Sequence, residues 1–281
     1  MNKKPYYKAN NWNTVEEQVD RSAWARLNDI VYEPCRVPIY KDQKEFVHLP
    51  RNEQTVILHS FGSLTLSSTL QMKVALSEIK KDAENSEEDA YEWANQNPYL
   101  QKKMKLLNTV YQSGNAIRKK AAHVFLSTGL YHSSFFGPLY LFGQHKLPRT
   151  AELIKYALRI TTLNGIYTGI KFRRDFFKLS KKEQNKVHDW VYDLCDNLYD
   201  NELSHIKLLY QNTDLEDKVE HYIHYALNKA LMNLGQEPKY PENVETLDPI
   251  LTTGLMESTM IEDFFFYTNA HPILKMREIT K

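Results

Sequence analysis

Residues 121–144, AAHVFLSTGLYHSSFFGPLYLFGQ, contain no Asp, Glu, Lys or Arg. A bilayer span needs about 20 such residues, so the segment either crosses a membrane or runs through the middle of a large bundle. Small polar groups decide between the two. Ser127, Thr128, His132, Ser133, Ser134 and Pro138 are scattered along it, and a helix that is apolar all round yet carries such groups belongs at the centre of a helical globule. The rest of the composition agrees: glycine occurs 9 times in 281 residues, below the roughly 7% usual for globular chains, while aromatic residues reach 12%.

Several function classes lose support at this level. The net charge is +1 and no lysine or arginine run is long enough to follow a phosphate backbone, so neither nucleic acid nor a membrane is an expected partner. The N-terminal MNKKPYYKANNWN lacks the apolar core of a signal peptide. Two cysteines, Cys35 and Cys195, cannot build a scaffold of bridges, and the expected compartment is the cytoplasm. No G-x-S-x-G, GxGxxG or GxxxxGK[ST] is present. The EHYIH run at 220–224 has metal-like spacing, but reads better as a surface histidine pair without a third ligand.

Spacing and caps predict a succession of helices. Pro50 opens one running toward Asn85, with Ile57, Phe61, Leu64, Ser68, Gln71 and Ala75 on one stripe. SEED (86–89) opens a short helix ending before Pro98, and another follows from Tyr99 to Gln112. The uncharged segment comes after Gly114. Pro148 starts a long helix on which Ile154, Thr161, Asn164, Thr168 and Phe172 share a face. SKKE (180–183) caps a helix to about Tyr210, and Asp214 caps one ending at Gly235. Pro238, Pro241 and Pro249 then predict a loop and an irregular tail from about residue 236. The expectation is a single all-α domain over residues 1–281.

Neutral polar residues at mid-height are the chemical oddity of these helices: Ser68, Ser127, and Thr161 with Asn164. In bundles that hold two bridged metal ions each helix turns a carboxylate inward, and two carry Glu-x-x-His, because residues three apart share a face. Here that slot reads Thr-x-x-Asn. Hydroxyls and amides alone leave a divalent ion uncompensated in a dry core.

NPYLQKK (97–103), FFGPLYLFGQHK (135–146), LYDNEL (198–203) and YALNKALMNLGQEP (225–238), with KANNWN (8–13) and DFF (263–265), resemble the small, radical-generating subunit of class Ib ribonucleotide reductase. The resemblance covers most of the chain in the same order. It implies a ferritin-like helical bundle with a dimetal site and a tyrosyl radical, and its ligand positions fall on the odd residues. Ser68 stands where the family has an aspartate, Ser127 where it has a glutamate, and Thr161 and Asn164 where it has the glutamate and histidine of Arg-Asp-Glu-x-x-His. The Glu-x-x-His-x-x-x-Tyr helix expected between Gln71 and Glu92 is absent from MKVALSEIKKDAENSEEDAY, so part of one core helix is deleted. Tyr32 takes the place of the relay tryptophan, and the chain ends in KMREITK, not in the acidic, aromatic tail that docks on the large subunit.

The resemblance thus implies a homologue with no catalytic residue, no metal and no cofactor. Such a chain acts through contacts with the reductase small or large subunit, as a homo- or heterodimer, and a mobile genetic element is a natural source. Two alternatives stay open: a working, metal-free small subunit, and a bundle that binds a ligand in the vacated core.

Overall fold

The computed structural model describes residues 18–30, 37–67, 87–241 and 246–256. Ser68, Tyr32, the DFF segment and most of the interval after Gln71 lie outside them. Among the described residues the regular structure is all helical: α1 (Gln18–Ile30), α2 (Gln43–His48), α3 (Arg51–Ser67), α4 (Glu87–Gln96), α5 (Pro98–Gln112), α6 (Ala116–Val124), α7 (His132–Gly143), α8 (Pro148–Phe176), α9 (Lys181–Leu209), α10 (Glu216–Asn233) and α11 (Pro249–Met256).

The uncharged segment forms the central strut. α6 runs into a π-helical turn, Phe125–Leu130, and then into α7; from residue 124 to 141 only Tyr131 is less than fully buried. Among the described residues no helix is long and apolar enough to cross a membrane. Helices α3, α8, α10 and α11 pack around the strut, α4 lies on α3, and α9 packs on α5.

Pro138 lies inside α7 and supplies no backbone N–H, which weakens the ladder there. One residue earlier the ladder is opened as well, and Tyr210 fills the gap. Its hydroxyl donates to Ser133 O at 2.5 Å and accepts from Gly137 N at 3.0 Å, so it stands between the two groups that an unbroken helix would join directly. Glycine at 137 makes this possible, because a Cβ there would lie 2.6 Å from Val56.

Helix ends are fixed largely as their sequences predict. Asn97 accepts from Tyr99 N and Leu100 N, both at 3.0 Å, ahead of Pro98. Ser180 and Glu183 form the reciprocal capping box. The start of α8 is capped from elsewhere: Thr150 N and Oγ1 donate to buried Asp42 at 2.7 and 2.9 Å. Just before it Leu147, in the left-handed region at φ 51°, donates its N–H to Glu45 Oε2 at 3.0 Å.

Two expectations need correction. Asp214 caps nothing: α10 begins at Glu216 after Leu215, with no side-chain cap, and its first turn relies on Glu216 and Asp217 facing the helix dipole. The region after 236 is not wholly irregular either. Asp248 Oδ1 accepts from Ile250 N at 2.9 Å, and Pro249 opens α11 behind that cap; the proline is a helix start, not a breaker. α11 lies along α7 so closely that a Cβ on Gly254 would overlap Leu139 O.

Replacing Tyr210 by Phe removes the hydroxyl that bridges Ser133 O and Gly137 N in the dry centre, at about 1–3 kcal/mol in all. Urea unfolding of Tyr210→Phe is expected to show a loss of that size with an unchanged m-value.

Stability also depends on pH through two buried histidines. Burial, then Lys103 and His59 nearby, hold the His205 imidazole well below its ordinary 6.5, and burial holds His132 down to about 3. Both are neutral when folded and take up protons when unfolded, so their contribution is complete above about 6.5 and is lost as pH falls below it. Thermal midpoints should be level from pH 8 to 7 and decline from about pH 6.5 downward, and His205→Gln should flatten that decline.

Candidate functional site

The π turn brings Ser127 against α8. Its hydroxyl is buried and donates to His123 O at 2.8 Å. Opposite stands Gly165, where a Cβ would overlap Thr128 Oγ1 and come within 3.2 Å of Ser127 Oγ. One turn further, a Cβ on Gly169 would overlap Asn233 O. Asn233 Nδ2 donates to Thr128 Oγ1 at 3.3 Å, and Arg173 Nη1 donates to Asn233 O at 2.5 Å. The two glycines therefore let α8 lie with its backbone on the π turn and on the end of α10.

Thr161 and Asn164 flank this contact and are half-buried, as is Thr168. Thr161 Oγ1 donates back to Ala157 O and Leu158 O at 3.0 and 3.1 Å, as threonines within helices do. The fully buried stripe of α8 is Ile154, Ala157, Leu158, Thr162, Gly165, Gly169 and Phe172. A period-based reading puts Thr161 and Asn164 at its centre; the glycines shift the true contact line around the helix. Of the four positions singled out in the sequence, Ser127 and the Thr161–Asn164 turn share a neighbourhood, and Ser68 lies outside the described residues.

A second polar centre was not anticipated, although Asn97, Lys103, Asn201 and Glu202 sit inside two of the motifs that carry the resemblance. Lys103 of NPYLQKK donates to Glu202 of LYDNEL at 3.0 and 3.2 Å, with both side chains almost wholly buried. Ser133 Oγ donates to the same carboxylate at 2.5 Å. Asn201 Nδ2 donates to Tyr99 O at 2.9 Å, and the Asn97 amide meets His205 Nδ1 at 3.4 Å. Trp93 stacks on His59 at 3.9 Å and faces His205 at 6.1 Å. Charge-assisted bonds join α5, α7 and α9 here, and ring contacts add α3 and α4, pairings that no single-helix pattern reveals.

The model of the family described as ribonucleotide reductase, small chain, matches residues 83–249. The chain belongs to that family. Ribonucleoside-diphosphate reductase 2 subunit beta of Escherichia coli K12 is 30% identical over 288 aligned positions, which cover 91% of this chain and 90% of the relative. The beta subunit of Bacillus phage SPbeta is 26% identical, covering 92% and 90%. Among solved structures, Streptococcus sanguinis dimanganese(II)-NrdF superposes with a TM-score of 0.80 at 33% identity, over 89% of this chain and 100% of the other. The fold is therefore the ferritin-like bundle of ribonucleotide reductase small subunits. The E. coli alignment is longer than the whole 281-residue chain, so that subunit has residues for which this chain has none.

The described residues do not fit the manganese pair of the Streptococcus relative. Ser127, Thr161 and Asn164 offer neutral oxygens and an amide, and two of the hydroxyls are already engaged by their own helix. Among the described residues only Asp42 and Glu202 are fully buried carboxylates, and both are committed, to the α8 cap and to Lys103. No three of His, Cys, Asp or Glu among these residues gather closely enough to hold a metal ion. The EHYIH histidines serve packing: His224 Nε2 meets Tyr199 Oη at 2.9 Å, and His221 Nε2 meets Thr246 O at 3.0 Å.

Placing an acid in the π turn should be costly here. Ser127→Glu places a carboxylate without a cation against Gly165, and a loss of about 3 kcal/mol or more is expected. Ser127→Ala removes one hydroxyl that bonds its own helix and should change stability by about 1 kcal/mol or less. Parallel denaturant curves of the two variants check the asymmetry.

Proposed function

We propose that this small-chain homologue has given up dimetal and radical chemistry and works as a protein partner of ribonucleotide reductase subunits. The observation that supports the reading is the neutral contact between the π turn and α8, made of hydroxyls and glycine backbone at positions that the sequence resemblance matches to ligands. Neutral residues at Ser68, Ser127, Thr161 and Asn164 together point to a core that has settled without metal, since clustered carboxylates without ions repel one another at several kcal/mol each. The missing Glu-x-x-His-x-x-x-Tyr segment and the gaps in the E. coli alignment support the same reading. Partnership proceeds through homo- or heterodimer formation with an active small subunit, or through the large subunit.

Metal analysis and spin resonance test this directly. Protein purified from manganese- and iron-supplemented cells is expected to hold far less than one ion per chain and to give no tyrosyl signal. Stoichiometric metal, or sustained deoxynucleotide formation with a large subunit and an activating flavoprotein, overturns the reading. Affinity capture from the native host should return a reductase subunit. The metal-free working subunit is the weaker reading, because such subunits keep a tyrosine helix for which the interval from Gln71 to Glu92 offers no matching motif.

A further inference from the structure

At one end of the bundle three helix termini meet. α8 ends there, and α6 and α9 begin there: Lys120 pairs with Asp175, and the Arg118 guanidinium lies 4.8 Å over the Trp190 ring of α9. Lys182, Lys186 and Trp190 follow at four-residue steps on α9, which puts the two lysines in line with Arg118. Folding thus gathers Arg118, Lys119, Lys181, Lys182 and Lys186 onto one surface, with Lys178 beside them on Asp175 at 3.3 Å, although the chain as a whole carries only +1. The four lysines from 178 onward are exposed. In their midst Phe177 is 72% exposed, packed edge-on against Phe176 at 5.9 Å.

We infer that this end of the bundle is a docking surface for an acidic segment of a partner protein that carries an aromatic side chain. Charge complementarity selects the acidic character, and the fixed ring of Phe177 provides the apolar anchor that aromatic-bearing segments use. A polyanion fits less well, because Glu183 and Asp189 stand exposed among the lysines and would repel a continuous line of phosphates. A bilayer fits less well too, because one exposed phenylalanine buries little apolar area. The surface is separate from the neutral core, and its failure would leave the reading of the core untouched.

A fluorescein-labelled peptide of alternating glutamate and phenylalanine serves as the probe, with anisotropy as the readout. Binding is expected to weaken about tenfold with Lys182→Glu plus Lys186→Glu, to weaken several-fold with Phe177→Ala, and to vanish when the peptide glutamates become glutamines. Lys41→Glu plus Lys44→Glu, at the far end beside the α8 start, should leave it unchanged. Circular dichroism verifies that each variant is folded, as expected for exposed positions. The inference is overturned if the peptide does not bind, or if the far-end variant weakens binding as much as the near-end one. It is equally overturned if phosphatidylserine vesicles or oligothymidylate bind at least as tightly as the peptide.

Discussion

In the dry centre of this bundle every charge has to be answered by a charge or a dipole, and the rest of the structure follows from how that is done. Glu202 is answered by Lys103 and Ser133, and Asp42 by the first turn of α8. Beside the π turn Ser127, Thr161 and Asn164 are neutral, so no counter-ion is called for there. A neutral hydroxyl that bonds its own helix needs little, whereas an unanswered carboxylate costs several kcal/mol.

Neutrality also has a steric side. Gly165 and Gly169 bring α8 onto the π turn and the end of α10, and Gly254 brings α11 onto α7. Helices at backbone contact gain dispersion over their whole length, and glycine gives up side-chain volume to permit it. The packing and the electrostatics agree: the neutral contact at the π turn is also filled by main chain.

Several helix boundaries were legible because their determinants sit a few residues apart, as with Ser180 and Glu183, the break at Pro98, and Pro148. The family resemblance was legible in four motifs and gave the fold. What failed to show were pairings across long sequence distances. Lys103 and Glu202 are ordinary surface-type residues until folding opposes them, Tyr210 gives no hint that its hydroxyl enters α7, and Asp42 caps a helix that starts more than a hundred residues later. Pro249 misled because proline punctuates loops and opens helices alike, and only Asp248 behind it tells which. The position of Thr161 and Asn164 at the flank of α8 was hidden by the glycines, which carry no hydrophobic signal yet define the closest approach.

The Tyr210 hydroxyl makes the ends of two helices mechanically interdependent. It sits at the C-cap of α9 and completes a bond within α7, so axial sliding of α9 by as little as an ångström would open the ladder of its neighbour. Register between these two struts is thus tied to the Tyr210 hydroxyl, with the Ser133–Glu202 bond deeper along the same pair, and a partner that tugged on α9 would be felt in the ladder beside Pro138.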